Sequence, residues 1–190
     1  MTAGNGVVHE EFDSEAFSKT GGMFEMVQLW VNLPAAKKNI APAYQSLKAA
    51  DIPVVSRGDG NVRLIAGHLD GTNGAAHTHT ELNMWEIDLP ADGAMTLPVP
   101  ENHNLLLVAL RGTARINDRD LLRPSELATF NESGDSVRIS AEGDAVKLLL
   151  LSGVPIDEPI AAYGPFVMNT REEIMEKIRD FNSDKFGGLH

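Results

Sequence analysis

In a chain without cysteine, any metal must sit on imidazoles and carboxylates, and disulfide frameworks, thiolate zinc sites and Cys nucleophiles are excluded together. Two clusters place such groups at chelating spacing. The first is His9-Glu10-Glu11. If Val7 to Glu11 is a strand, His9 and Glu11 project from one face about 6.6 Å apart by strand rise and can converge on one ion. They offer one imidazole and one carboxylate, whereas a non-haem Fe(II) site takes two His and one carboxylate with positions left open, so at least one more ligand is needed. By spacing alone the pair reads as ordinary exposed polar residues, because a single His-x-Glu is common. The second cluster is His77-Thr78-His79, the only His-x-His in the chain, with Glu81 able to add a carboxylate on the same face. It is the rival metal site. A polar loop entering the next strand is the favoured reading there, since no obvious group is supplied to orient the imidazoles. His68 and His103 flank strands and read as surface or hydrogen-bonding residues, and His190 is terminal. No Walker loop, dinucleotide fingerprint or Gly-x-Ser-x-Gly elbow occurs, which leaves nucleotide-dependent and serine-hydrolase chemistry unsupported.

The elements that must position these residues repeat mostly with period two, as strands do. Trp85, Ile87 and Leu89 alternate with Glu86 and Asp88, which predicts one buried and one wet face. Phe24 to Leu33 is apolar on both faces and reads as a strand covered on both sides. Leu105 to Leu110, Arg111-Gly112 and Thr113 to Ile116 read as a hairpin with glycine at the turn. Val62 to Ala66, Leu127 to Phe130, Val137 to Ile139 and Val146 to Leu151 complete the strand set. Short strands punctuated by Gly, Pro, Asn and Asp favour a barrel or jelly roll over a parallel α/β sheet. Two stretches look helical. Thr170-Arg171-Glu172-Glu173 matches a capping box, followed by Ile174, Ile178 and Phe181 on one face. The other, around Tyr44 to Ala50, predicts one or two turns. Trp30 and Trp85 are assigned to the core, where strand aromatics usually sit.

The chain has 190 residues, 43% hydrophobic and 23% charged, an ordinary globular balance able to bury a core. Its formal net charge is −11 with no Lys/Arg cluster to offset it, so direct nucleic-acid binding lacks a source of phosphate neutralisation. Met1 to Gly6 has neither a basic region nor an apolar core, and the longest apolar runs fall far short of the ~20 residues of a membrane helix. A cytoplasmic protein with no membrane or nucleic-acid partner is the expectation.

Three runs carry a resemblance. They are Gln28-Leu29-Trp30-Val31-Asn32-Leu33-Pro34 followed by Pro42 and Tyr44-Gln45; Tyr163-Gly164-Pro165-Phe166-Val167-Met168-Asn169-Thr170 leading to Glu173 and closing on Phe186-Gly187; and Met1-Thr2-Ala3-Gly4 with Gly6 and His9-Glu10-Glu11. Together they resemble the pirin family across nearly the whole chain, in the order the family has them. The resemblance implies an all-β fold of cupin type, a double-stranded β-helix or jelly-roll barrel, with a short C-terminal helix. Pirins resemble two cupin barrels in tandem. The implied organisation is a remnant of the first barrel over 1–20, ending its metal-site segment, a second barrel over 21–165, and a C-terminal segment with its helix over 166–190. The first barrel's His-x-His pair, within a His-Pro-His-Arg-Gly-Phe-Glu run, occurs nowhere in the chain.

The resemblance also implies a function. Some pirins are implicated in cleaving flavonols such as quercetin with O₂ on a metal held in the first barrel, and others are associated with binding transcriptional regulators. His9 and Glu11 would then be ligands to Fe(II) or another divalent transition metal, with Glu11 also the candidate catalytic base. In a cupin the metal His pair precedes the strand entering the first hairpin, and Pro98-Val99-Pro100 holds that place here, so the second barrel is read as metal-free. The expectation is a non-catalytic interaction or sensor protein with an incomplete metal site. The alternative is an iron-dependent quercetin 2,3-dioxygenase if the polypeptide is longer or the site is completed in trans. Partners implied are a regulatory protein and a second copy of the chain paired through the stump of Met1 to about Thr20, whose Val7, Val8, Phe12 and Phe17 lack the barrel interior they would face.

Overall fold

Alternation of apolar and polar residues dominates the middle of the chain, and in the computed structural model, which describes residues 1–131 and 133–188, it is realised as two antiparallel sheets. The strands are β1 Val54–Arg57, β2 Gly60–Ala66, β3 His68–Leu69, β4 Thr72–Asn73, β5 Leu82–Leu89, β6 Ala94–Pro98, β7 Asn104–Arg111, β8 Ala114–Ile116, β9 Asp120–Leu122, β10 Leu127–Thr129, β11 Ser136–Ala141 and β12 Val146–Gly153. The larger sheet runs β1-β2-β5-β12-β7-β10 and the smaller β6-β11-β8-β9, while β3 and β4 form a short ribbon. The connections from β5 to β6, β7 to β8 and β11 to β12 each cross from one sheet to the other, the pattern of a jelly roll. Between the sheets lies one core, with Leu64, Trp85, Ile87, Leu107, Leu148 and Leu150 from the larger sheet against Leu97, Ile116, Val137 and Ile139 from the smaller. Each interior residue is separated from the next by an outward one, so β5 reads half-buried and buried in strict alternation. This is the expected all-β cupin fold.

These strands belong to a compact unit of Gln45–Pro155, narrower than the expected barrel of 21–165. Met1–Tyr44 and the chain from Ile156 onward form a second unit. In that unit β13 Ala161–Tyr163 and β14 Phe166–Met168 make a hairpin, followed by α2 Arg171–Asn182. The capping box is present at α2: the Thr170 side chain accepts from Glu173 N–H at 3.2 Å, and Glu173 Oε2 accepts from Thr170 N–H at 2.8 Å. Ile174 is buried and Phe166, Phe181 and Phe186 cluster with ring centroids 6.2–6.5 Å apart. The first residues are held here too, by paired Thr2–Ala43 backbone bonds and a bond from Asn5 N–H to Ile40 O at 2.9 Å. Gly6 lies so close to the Phe186 ring that a Cβ at that position would stand 2.3 Å from it, which explains a glycine there without reference to chemistry.

Several expectations are corrected. Phe24 to Leu33 forms no strand, and Met23, Phe24, Met26 and Trp30 are exposed, Trp30 at 69%. Apolar periodicity states what a segment needs covered, but a strand also needs a neighbour for its N–H and C=O groups, and none is formed among the described residues. Val7 to Glu11 likewise has no strand structure. The Leu105 to Ile116 stretch is not a hairpin. β7 is flanked by β12 and β10, and β8 by β11 and β9, so Arg111-Gly112 is a corner between the sheets. The Tyr44 to Ala50 helix reduces to one 3-10 turn at Ala49–Asp51. Conversely, an unanticipated short helix, α1, spans Glu15–Thr20, with Ser14 accepting from Phe17 N–H at 3.2 Å and Glu15 in its first turn. No helix among the described residues is long and apolar enough to cross a membrane.

Candidate functional site

His9 and Glu11 stand in exposed, irregular chain between the anchored Met1–Gly6 segment and α1. Without a pleat, nothing in the backbone aims the two side chains at a common point, so the geometric premise of a preformed chelating pair is not met. One imidazole and one carboxylate are also too small a donor set for a non-haem iron site. Among the described residues, no three His, Cys, Asp or Glu side chains are grouped so as to hold a metal ion. The residues present therefore do not fit an iron site by themselves, and no catalytic step is derived through one.

His77 and His79 lie just before β5, their rings edge-to-face with centroids 5.6 Å apart. The backbone of His77 is pinned by Gln45, which donates through Nε2 to His77 O at 2.9 Å and accepts at Oε1 from His77 N–H at 2.7 Å. This is a loop clamped by an amide side chain, and Glu81 does not join the two imidazoles in a group of three metal donors. His190 lies outside the described residues.

Of the two readings of His103, surface or hydrogen-bonding, the second holds. It is 4% exposed, and its Nδ1 lies 3.2 Å from Ser152 Oγ. Ser152 Oγ accepts in turn from Asn83 Nδ2 at 3.0 Å, and Asn83 Oδ1 accepts from His68 N–H at 3.1 Å. Asn83 and Ser152 sit directly opposite each other on β5 and β12. Asn83, Ser152 and His103 thus form a polar layer across one end of an apolar interior. The signal was available in principle, because Asn83 precedes Trp85, Ile87 and Leu89 in the same inward alternation and Ser152 follows Leu148 and Leu150. What spacing could not reveal is that three distant segments bring these polar residues together.

Outside the barrel a second buried polar group appears. Lys38 is 4% exposed, and its Nζ donates to Asn32 Oδ1 at 2.6 Å. Burial pushes its ammonium below the usual lysine range, against the opposing pull of the Glu158 and Glu173 carboxylates. Glu158 Oε2 accepts from Ala35 N–H at 2.6 Å and from Asn169 Nδ2 at 3.1 Å, and Glu173 Oε2 accepts from Asn169 N–H at 3.0 Å. This network ties the 3-10 turn Ala35–Lys37 to the start of α2, and its partners are structural.

Comparison with known proteins agrees with this architecture. Residues 84–187 match the Pirin C-terminal cupin domain. A Pseudomonas aeruginosa protein provisionally assigned as a quercetin 2,3-dioxygenase is 45% identical over 192 residues, covering 100% of this chain and 66% of its own. Human pirin is 32% identical over 191 residues, covering 98% of this chain and 64% of its own. The crystal structure of a quercetin 2,3-dioxygenase from Acinetobacter baumannii superposes with a TM-score of 0.94 at 46% identity, over 98% of this chain and 65% of that one. The chain thus spans about two thirds of the length of the relatives it matches.

Proposed function

Since this chain belongs to the pirin family, we propose that by itself it is a non-catalytic interaction protein, carrying two donors of an iron site that needs further ligands before it oxygenates flavonols of the quercetin type. The observation that carries this reading is the pairing of His9 and Glu11 with uncovered apolar chain. Both donors are exposed, and the segment after α1 turns Met23, Phe24, Met26 and Trp30 to solvent. The occupant that fits this surface is a cupin-type segment such as the third of the chain by which the Acinetobacter and Pseudomonas relatives exceed this one. Its interior would cover the apolar residues, and it would bring further ligands to His9 and Glu11. A regulatory protein bound through the same surface is the sensor form of this reading.

The test is anaerobic Fe(II) loading followed by a quercetin-consumption assay, on the chain alone and co-expressed with the additional segment of the Acinetobacter protein. No turnover alone, with turnover in the pair that His9→Ala abolishes, is the expected result. Robust turnover by the chain alone, lost on His9→Ala, would overturn the proposal, as would turnover in the pair that is indifferent to His9 and Glu11.

A further inference from the structure

The buried row of hydrogen bonds that ends on His103 fixes which ring nitrogen carries the proton. A backbone N–H can only donate, so the Asn83 atom that meets His68 N–H at 3.1 Å is the amide oxygen, and Asn83 Nδ2 donates to Ser152 Oγ at 3.0 Å. The Ser152 hydrogen then needs an acceptor of its own in a residue only 6% exposed, and His103 Nδ1 stands 3.2 Å away. A hydroxyl that donates to Nδ1 requires that nitrogen to be bare, which puts the ring proton on Nε2. The opposite tautomer would strand the Ser152 hydrogen and turn the Nε2 lone pair toward Glu81 Oε1 at 3.6 Å. Both ends of the ring select the same form.

Glu81 Oε1 is the acceptor that faces Nε2–H, and it stands just out of reach. Nε2 has no hydrogen-bond partner, and 3.6 Å exceeds the ~2.9 Å of a made N–H···O bond. The two side chains differ in freedom. That of His103 is 1% exposed, and its backbone N–H closes a turn by donating to Pro100 O at 3.0 Å, whereas the Glu81 side chain is 76% exposed. The Glu81 backbone is fixed, since its O accepts from Val154 N–H at 3.2 Å. Four residues earlier, Gln45 holds both backbone groups of His77. Residues 77–81 are thus a strap anchored at both ends, with an exposed carboxylate over a buried imidazole.

We propose that Glu81 and His103 are a latch: rotation of the Glu81 side chain brings its carboxylate onto Nε2–H and fastens strap 77–81 to turn 100–103. All of these residues belong to the Gln45–Pro155 unit. Thr78 and Glu81 on the strap and Pro100 on the turn wall one cleft of about 700 Å³, so the latch governs how far that cleft opens. Because Ser152 already holds the imidazole in its donating form, closure moves only the exposed partner and leaves the core in place. An N–H bond to a carboxylate is stronger than one between neutral groups, and its buried donor keeps it from the full solvent screening that weakens exposed pairs.

The test reads the tautomer and the opening separately. Long-range ¹H–¹⁵N correlation of the histidine side chains in ¹⁵N-labelled protein is expected to show His103 with a protonated Nε2 and a bare Nδ1. Glu81→Ala alters an exposed side chain and so leaves folding intact. In this variant the tautomer is expected to persist, because Ser152 sets it, while the Nε2–H resonance moves upfield on losing its carboxylate. Amide exchange at Val154 and His103, whose N–H groups bond Glu81 O and Pro100 O, should rise about threefold to tenfold with the β11 amides unchanged. A protonated Nδ1 in the native protein, an Nε2–H resonance indifferent to Glu81→Ala, or exchange at Val154 and His103 that stays level or rises only in step with β11 would overturn the proposal.

Discussion

At the scale of single residues, two positions carry predictions because their surroundings leave little freedom. Gly67 has φ +88°, and a Cβ there would lie 2.1 Å from Asn83 Oδ1 and 2.6 Å from Leu82 O. Gly67→Ala must therefore displace the amide that receives His68 N–H, and it is expected to lower stability by about 1–3 kcal/mol in urea titration. A change below the error of the titration would show that the neighbouring loop yields freely. Lys38 gives a pH dependence. Burial lowers its folded-state value, so between that value and the usual 10.5 the unfolded chain binds more protons than the folded one. Its contribution to stability accordingly rises with pH through that window. The stability of the protein relative to Lys38→Met should increase as pH is raised toward 10.5, and a flat or falling difference would refute the assignment of burial as the dominant cause.

Among the elements, α2 depends on its first turn. The Thr170–Glu173 capping box satisfies backbone donors that the helix cannot satisfy internally, and Glu172 and Glu173 both favour the positive end of its dipole. Thr170→Ala is expected to cost about 0.5–2 kcal/mol, seen as faster amide exchange across Arg171–Asn182 while the β5 and β12 amides keep their protection. Uniform loss of protection in both places would show instead that α2 and the strands open as one. The same accounting of backbone partners explains why β5 and β12 are long and regular while Phe24 to Leu33 is not. From Lys147 to Gly153 every residue of β12 has ladder partners on both β5 and β7, whereas the earlier segment, though rich in apolar residues, pairs with no strand among the described residues.

For the whole molecule, exposed apolar chain in the unit containing Met1–Tyr44 has an energetic consequence. Phe12 is 84% exposed, and Phe17 meets Phe24 at 5.7 Å between ring centroids without closing a core. Each large side chain left in water forgoes up to ~1.5–3 kcal/mol of burial. When no cupin-type segment is supplied, a second copy of the chain is the available cover. Light scattering at micromolar concentration is expected to report a dimer, shifted toward monomer by Phe24→Asp or Trp30→Asp. A monomer at that concentration would sink this expectation.

Strands β2, β5, β7, β8, β10, β11 and β12, the inward face of β5, the capping box and the family were legible from the amino-acid order alone, whereas β1, β3, β4, β6 and β9 were not anticipated. Each legible feature rests on local periodicity, a short-range hydrogen-bond motif or a contiguous run of residues. The long-range facts required the fold. Sequence placed β7 and β8 in one hairpin because a glycine turn is local evidence, but which strand pairs with which is decided by the packing of two sheets around Leu107, Leu148 and Ile139. It read His103 as surface or hydrogen-bonding because a lone histidine beside a strand gives no sign of depth. Only the meeting of β5, β12 and the turn before β7 sets it against Ser152 and places Asn83 beneath a cleft. Apolar alternation specifies a residue's side of a sheet, and tertiary packing decides what faces it there.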